Sequence, residues 1–152
     1  MARRIESVAS LLEFFRDELE RALRTIGATP SKETEAYVVH LLDGYARTSA
    51  ATQHHLGFER PAALLYKDAV EAGGDRRLEA TRQLGDACLF HCGVFADRLT
   101  RRGVKREYYH RMGCIAYEDA RALMEHKQPG GVFAQIFGEL VDYFDALAQA
   151  LA

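Results

Sequence analysis

No apolar run in this chain approaches the roughly 18 residues that a membrane helix requires, which excludes a spanning segment on sequence grounds. Proline is scarce, at three residues, and low-complexity tracts are absent, so nothing argues for a disordered or linker-like chain. The three cysteines are an odd number without framework spacing. That pattern excludes a disulfide scaffold and places the expectation in a reducing cytoplasm. Neither sign of charge dominates: the formal net charge is -2, too little for any overall attraction to nucleic acid or an anionic membrane. Met1-Ala2-Arg3-Arg4 is basic, but charged helical sequence follows where a signal peptide needs an apolar core. Also missing are Gly-x-Ser-x-Gly, a P-loop, His-Glu-x-x-His and a dinucleotide fingerprint, so no known catalytic motif points to an enzyme.

What is present suits one soluble domain spanning residues 1–152. Hydrophobic residues make up 48% and charged residues 28% of the chain. A chain of this length buries roughly two-thirds of its unfolded surface. Periodicity reads as helix almost throughout. A first helix is expected from Ile5 to Ile26, with Leu11, Leu12, Phe15, Leu19 and Leu23 on one stripe and Gly27 ending it. Thr29-Pro30 reads as the N-cap of a second helix that carries Tyr37, Val38, Leu41, Leu42 and Tyr45 and fades near Ser49. Ala50 to Arg60, with His54-His55, is the least regular part. Pro61 opens a short third helix through Val70, and Gly73-Gly74 closes it. Asp75 is placed to cap a fourth helix reaching Arg101. A fifth follows Arg102-Gly103-Val104, and Pro129-Gly130-Gly131 separates it from a sixth running from Val132 through Leu147. The expectation is all-α, a single compact bundle of about six helices.

The fourth helix is the most informative. At 100° per residue, Leu84, Cys88, Cys92, Phe95 and Leu99 share one face, while Phe90 and Val94 point the other way. A helix apolar on two sides belongs at the centre of a bundle. Gly85 and Gly93 each cost about 1 kcal/mol inside a helix, which close approach of a neighbouring helix or a ligand would offset. The run Leu84-Gly85-Asp86, Leu89-Phe90, Gly93 and Phe95, followed by Tyr108-Tyr109, Met112-Gly113 and Ala116-Tyr117, resembles a family of small uncharacterised bacterial helical proteins. Its central block reads LGD-x-x-LF-x-x-G-x-F, then YY-x-x-MG-x-x-AY. The resemblance continues more weakly through Phe14-Phe15, Tyr37-Val38-Val39, Leu41-Leu42, Phe133 and Leu140. It implies an all-helical fold and no particular activity. The block does not call for cysteine at 88, 92 or 114, or for histidine at 91 or 110.

Three constellations are candidates for function. Cys88 with Cys92, and His110 with Cys114, have the four-residue spacing that two facing helices would use to hold zinc or iron. Against this, Cys88 and Cys92 belong to a core stripe, whereas His110 and Cys114 lie off the Tyr108, Met112, Ala116 stripe. Glu107-x-x-His110 is half of a carboxylate-bridged di-iron motif, and no second Glu-x-x-His exists. No cofactor is therefore expected. Asp86, in apolar surroundings, needs a partner such as Arg82 or a tyrosine hydroxyl of the fifth helix. With Tyr108, Tyr109 and Tyr117 it would alternatively line a ligand pocket between helices four and five. The basic turn from Arg98 to Arg111 suits an acidic or anionic partner, or the acidic residues Glu139, Asp142 and Asp145 of the last helix. Its flanking helices are too long for a DNA-binding helix-turn-helix. Phe90, Val94, Phe133 and Phe137 exceed what one thin bundle covers and suggest an interface. A homodimeric, non-enzymatic interaction module is the leading expectation, ahead of a ligand-binding protein and of a cysteine/histidine metal or redox site.

Overall fold

The computed structural model describes residues 8–47, 62–97 and 105–152. The expectations for Ile5, for Ala50 to Arg60 with His54-His55, for Pro61, and for Arg98, Leu99, Arg101 and Arg102 lie outside these residues. The described residues form seven α-helices and no strand. They are α1 (Val8–Ile26), α2 (Lys32–Arg47), α3 (Ala62–Glu71), α4 (Gly74–Cys92), α5 (Arg106–Lys127), α6 (Val132–Asp142) and α7 (Phe144–Leu151).

Each boundary has a local cause. Gly27 adopts φ +88°, which lets Ala28 N–H turn back onto the Leu23 carbonyl at 3.0 Å and close α1. The cap of α2 is Ser31 rather than the expected Thr29. Ser31 Oγ accepts Thr34 N–H at 3.3 Å, and the Ser31 N–H donates to Glu139 Oε1 of α6 at 2.6 Å. Burial works against the ionised form of Glu139, but the bonds from Ser31 and Gln135 outweigh it and hold its carboxyl below the ordinary range. Ser31→Ala is therefore expected to cost about 1 kcal/mol in urea denaturation; unchanged stability would show that this cap contributes nothing.

Asp75 does not cap α4. The chain enters that helix through extended Gly73, and Asp75 in the first turn pairs with Lys127 at 3.0 Å. α4 is also interrupted earlier than expected, after Cys92, with helical residues again at Ala96 and Asp97. A Cβ on Gly93 would meet Leu151 Cβ at 2.8 Å and the Ala148 carbonyl at 3.0 Å, so α7 presses directly on the backbone there. The ladder slips at the same place, with Phe95 N–H donating to the Phe90 carbonyl at 2.8 Å. The expected sixth helix is two helices, broken at Tyr143 (φ -106°, ψ 17°), whose hydroxyl donates to the Thr29 carbonyl.

α4 is the centre of the molecule. Every residue from Leu84 to Gly93 is buried, and the helix packs on α3, α5 and α7. α5 in turn carries α6, while α1 pairs with α2 and also touches α7. Both apolar sides of α4 are thus covered within one chain. On the second side Phe90 is enclosed by Tyr45 and Phe95, with ring centroids at 5.6 and 6.1 Å.

Candidate functional site

The centre of the bundle holds a charged side chain. Asp86 is 4% exposed and projects from α4 between α2 and α5. Its Oδ1 accepts the hydroxyl of Tyr37 at 2.8 Å and that of Tyr117 at 2.7 Å. Arg82, one turn earlier, donates from Nη1 to Oδ2 at 3.3 Å and binds Glu79 at the surface. Burial pushes the Asp86 carboxyl up to about 6, while Arg82 and the two tyrosine hydroxyls favour its ionised form and limit the rise. Both tyrosines are driven upward, first by burial and then by the Asp86 charge, and so remain donors. Burial also works against the charge on Arg82, but Asp86, Glu79 and Tyr37 together outweigh it and raise that group.

Asp86 and Tyr117 come together as expected, but as an internal clasp rather than as walls of a pocket. The space anticipated beside Gly85 is filled by the Tyr117 ring, which lies 2.6 Å from where a Cβ would stand. Tyr117 is itself stacked on Phe137, with centroids 6.1 Å apart. Tyr109 rests against His91 at 4.9 Å, and Tyr108 is 44% exposed. Among the described residues, no cavity is lined by these four together. Tyr37 was missed because it lies 49 positions from Asp86, and only the position of Tyr37 on the apolar stripe of α2 hinted that it faces inward.

The proposed interface residues also separate. Phe90 and Phe137 are buried inside the chain, and Val94 is half-buried against the core. Only Phe133 is exposed. The surplus of aromatic residues is absorbed by the packing of α4 against α2 and α5 and by the stack of Tyr117 on Phe137.

The cysteines are free thiols. Burial raises Cys88 strongly, with Cys92 and Cys114 adding to the effect, and pushes Cys92 up to about 11 against the opposing pull of Arg106. Cys114 rises for the same first reason, helped by Asp145. High thiols near neutral pH are poor nucleophiles. His110 turns toward α7, with its Nε2 3.4 Å from Asp145 Oδ1 and its ring 5.0 Å from that of Phe144. Among the described residues, no three His, Cys, Asp or Glu side chains are grouped so as to hold a metal ion.

Part of the basic turn is answered within the chain, because both Nη atoms of Arg106 donate to Asp145 Oδ1 at 3.5 Å. Lys105 and Arg111 are exposed. Among the described residues, no helix is long and apolar enough to cross a membrane.

One surface was not anticipated. Tyr66 and Val70 of α3 and Ile115 of α5 stand over a shared crease and are 41%, 54% and 43% exposed. Its volume is only about 10 Å³. Arg77 and Asp119 border the same crease. Tyr66 and Val70, four residues apart, were readable as one helical face, but nothing local in sequence brings Ile115 beside them. No family model, curated protein or solved structure matches the chain.

Proposed function

We propose that the chain is a non-enzymatic interaction module that self-associates through the α3–α5 face. The observation that carries this reading is the crease beneath Tyr66, Val70 and Ile115. Three large apolar side chains are exposed together, yet a space of about 10 Å³ admits no metabolite. Small-molecule sites occupy roughly 300–1,000 Å³. A nearly flat apolar patch with a charged border is instead the form of a protein interface. A second copy is the occupant that its charges favour. In a two-fold arrangement the same patch faces itself, so Arg77 of one copy meets Asp119 of the other. Within the chain, neither has an ion-pair partner among the described residues. The odd number of cysteines, all three of them free, supports action in a reducing cytoplasm.

Sedimentation equilibrium provides the test. A wild-type dimer is expected, with Ile115→Asp weakening association by at least about tenfold. Arg77→Asp and Asp119→Arg should each weaken it, and the double exchange should restore it in part. Ile115, Arg77 and Asp119 are surface residues, so these variants keep the core intact. A wild-type monomer at all accessible concentrations, or a dimer indifferent to Ile115→Asp, would remove this reading.

A further inference from the structure

A second site lies on the α1–α2 hairpin. Between α1 and α2 runs a groove of about 460 Å³, within the range of small-molecule sites. Leu12 and Val39 supply its apolar lining, and Arg16, Glu20, Lys32 and Glu35 its charges.

Glu35 is the unusual member. It is 8% exposed, and its Oε1 has no hydrogen-bond partner among the described residues. Its one ion pair is with Lys32 Nζ at 3.6 Å, beyond hydrogen-bond reach, and the same ammonium sits nearer Glu20 Oε2, at 3.1 Å. Two carboxylates therefore share one ammonium. Buried carboxylates are costly unless hydrogen-bonded, so Glu35 is short of one donor. Arg16 shows the opposite deficit, a cation in the groove with no ion-pair partner among the described residues.

We infer that this groove binds a small zwitterion with an apolar body, an α-amino acid carrying an aliphatic side chain. The ligand ammonium donates to Glu35, the ligand carboxylate faces Arg16, and the aliphatic part lies on Leu12 and Val39. Lys32 stands on an exposed stem, so it can yield its place over Glu35 Oε1 while keeping Glu20. Apart from His40, which also lines the groove, its four charges sum to zero, with Lys32 between the two carboxylates and Arg16 unpaired, which a zwitterion matches. A simple amine would leave Arg16 unanswered, and a simple carboxylate would leave Glu35 so.

Calorimetric titration of the full chain tests this with leucine, isocaproate (no ammonium) and isoamylamine (no carboxylate) as probes. Leucine is expected to bind saturably in the millimolar range or tighter, and each truncated probe at least about tenfold more weakly. Glu35→Gln and Arg16→Ala should each lose about tenfold for leucine with helical circular dichroism unchanged. Arg16 is exposed, so its variant reports on binding even if Glu35→Gln fails to fold. Ile115→Asp should bind leucine normally, because the groove does not involve the α3–α5 face. No saturable leucine binding, equal binding of isoamylamine, or variants that bind as wild type would overturn the inference.

Discussion

Asp86→Ala is expected to cost about 2–4 kcal/mol at pH 7, whereas Asp86→Asn costs about 1 kcal/mol or less. Alanine removes the acceptor of Tyr117, whose hydroxyl is fully buried, and also that of Tyr37. It leaves a small cavity as well. The cost stays below that of stranding a fully buried cation, because Arg82 is one-third exposed and keeps Glu79. Asparagine retains the acceptor for both tyrosines and removes a charge that burial disfavours. Its amide donors face Arg82, which can turn outward to water.

The pH profile separates the two effects. The Asp86 carboxyl is raised from its ordinary 3.8 to about 6 in the fold, so the folded chain binds this proton more tightly than the unfolded one. Its stabilising contribution is complete below 3.8 and is lost as pH rises through about 6. A rise of that size corresponds to about 3 kcal/mol, of which roughly 1 kcal/mol appears between pH 6 and 5. Relative to Asp86→Asn, the wild type should therefore gain stability as pH is lowered from 7 to 5. Glu118 and Glu139, whose carboxyls are lowered, work in the other direction but cancel in the comparison. Urea midpoints of the two proteins at each pH provide the measurement. Parallel curves, or a wild type that loses ground on acidification, would mean that Arg82 and the tyrosines keep Asp86 ionised.

How far the sequence carried this picture depended on the range of the interaction. The central helix was legible because Leu84, Cys88, Cys92 and Phe90 lie within a few turns of one another, and their spacing alone places apolar groups on two sides. Asp86 demanded a partner for the same local reason, and its bonds to Arg82 and to the Tyr117 hydroxyl are among those anticipated. Ser31 escaped notice because Thr29-Pro30 offers an equally good local cap; the bond from Ser31 N–H to Glu139, 108 positions away, sets the entry into α2. The early end of α4 was likewise invisible, since Gly93 leaves the helix under pressure from Ala148 and Leu151 at the far end of the chain. Both candidate sites share that character. Ile115 comes beside Tyr66 and Val70, and Glu35 and Arg16 come to line one groove, only after helices have packed. The aromatic residues chosen for an interface were conspicuous in sequence for being core residues.

The glycines of the central block follow the same logic, and Gly113→Ala should reverse the usual sign of a glycine-to-alanine change in a helix. In an open helical position that substitution gains about 1 kcal/mol. Gly44 in α2 is such a position, with nothing within 4 Å of a built Cβ, so Gly44→Ala should stabilise the protein by up to about that amount. At Gly113 the new methyl would stand 2.6 Å from the edge of the Phe144 ring and 2.9 Å from Cys88 Cβ. Phe144 is 1% exposed and Cys88 fully buried, so neither can move into free space. Overpacking of this kind typically costs about 1–3 kcal/mol, enough to outweigh the helical gain. Gly113→Ala is expected to lower the thermal midpoint while Gly44→Ala raises it. Adding Phe144→Leu to Gly113→Ala should recover part of the loss, because leucine withdraws the ring edge that the methyl strikes. Equal gains at both glycines would show that α4, α5 and α7 meet with room to spare, and that close approach is not what glycine serves in this block.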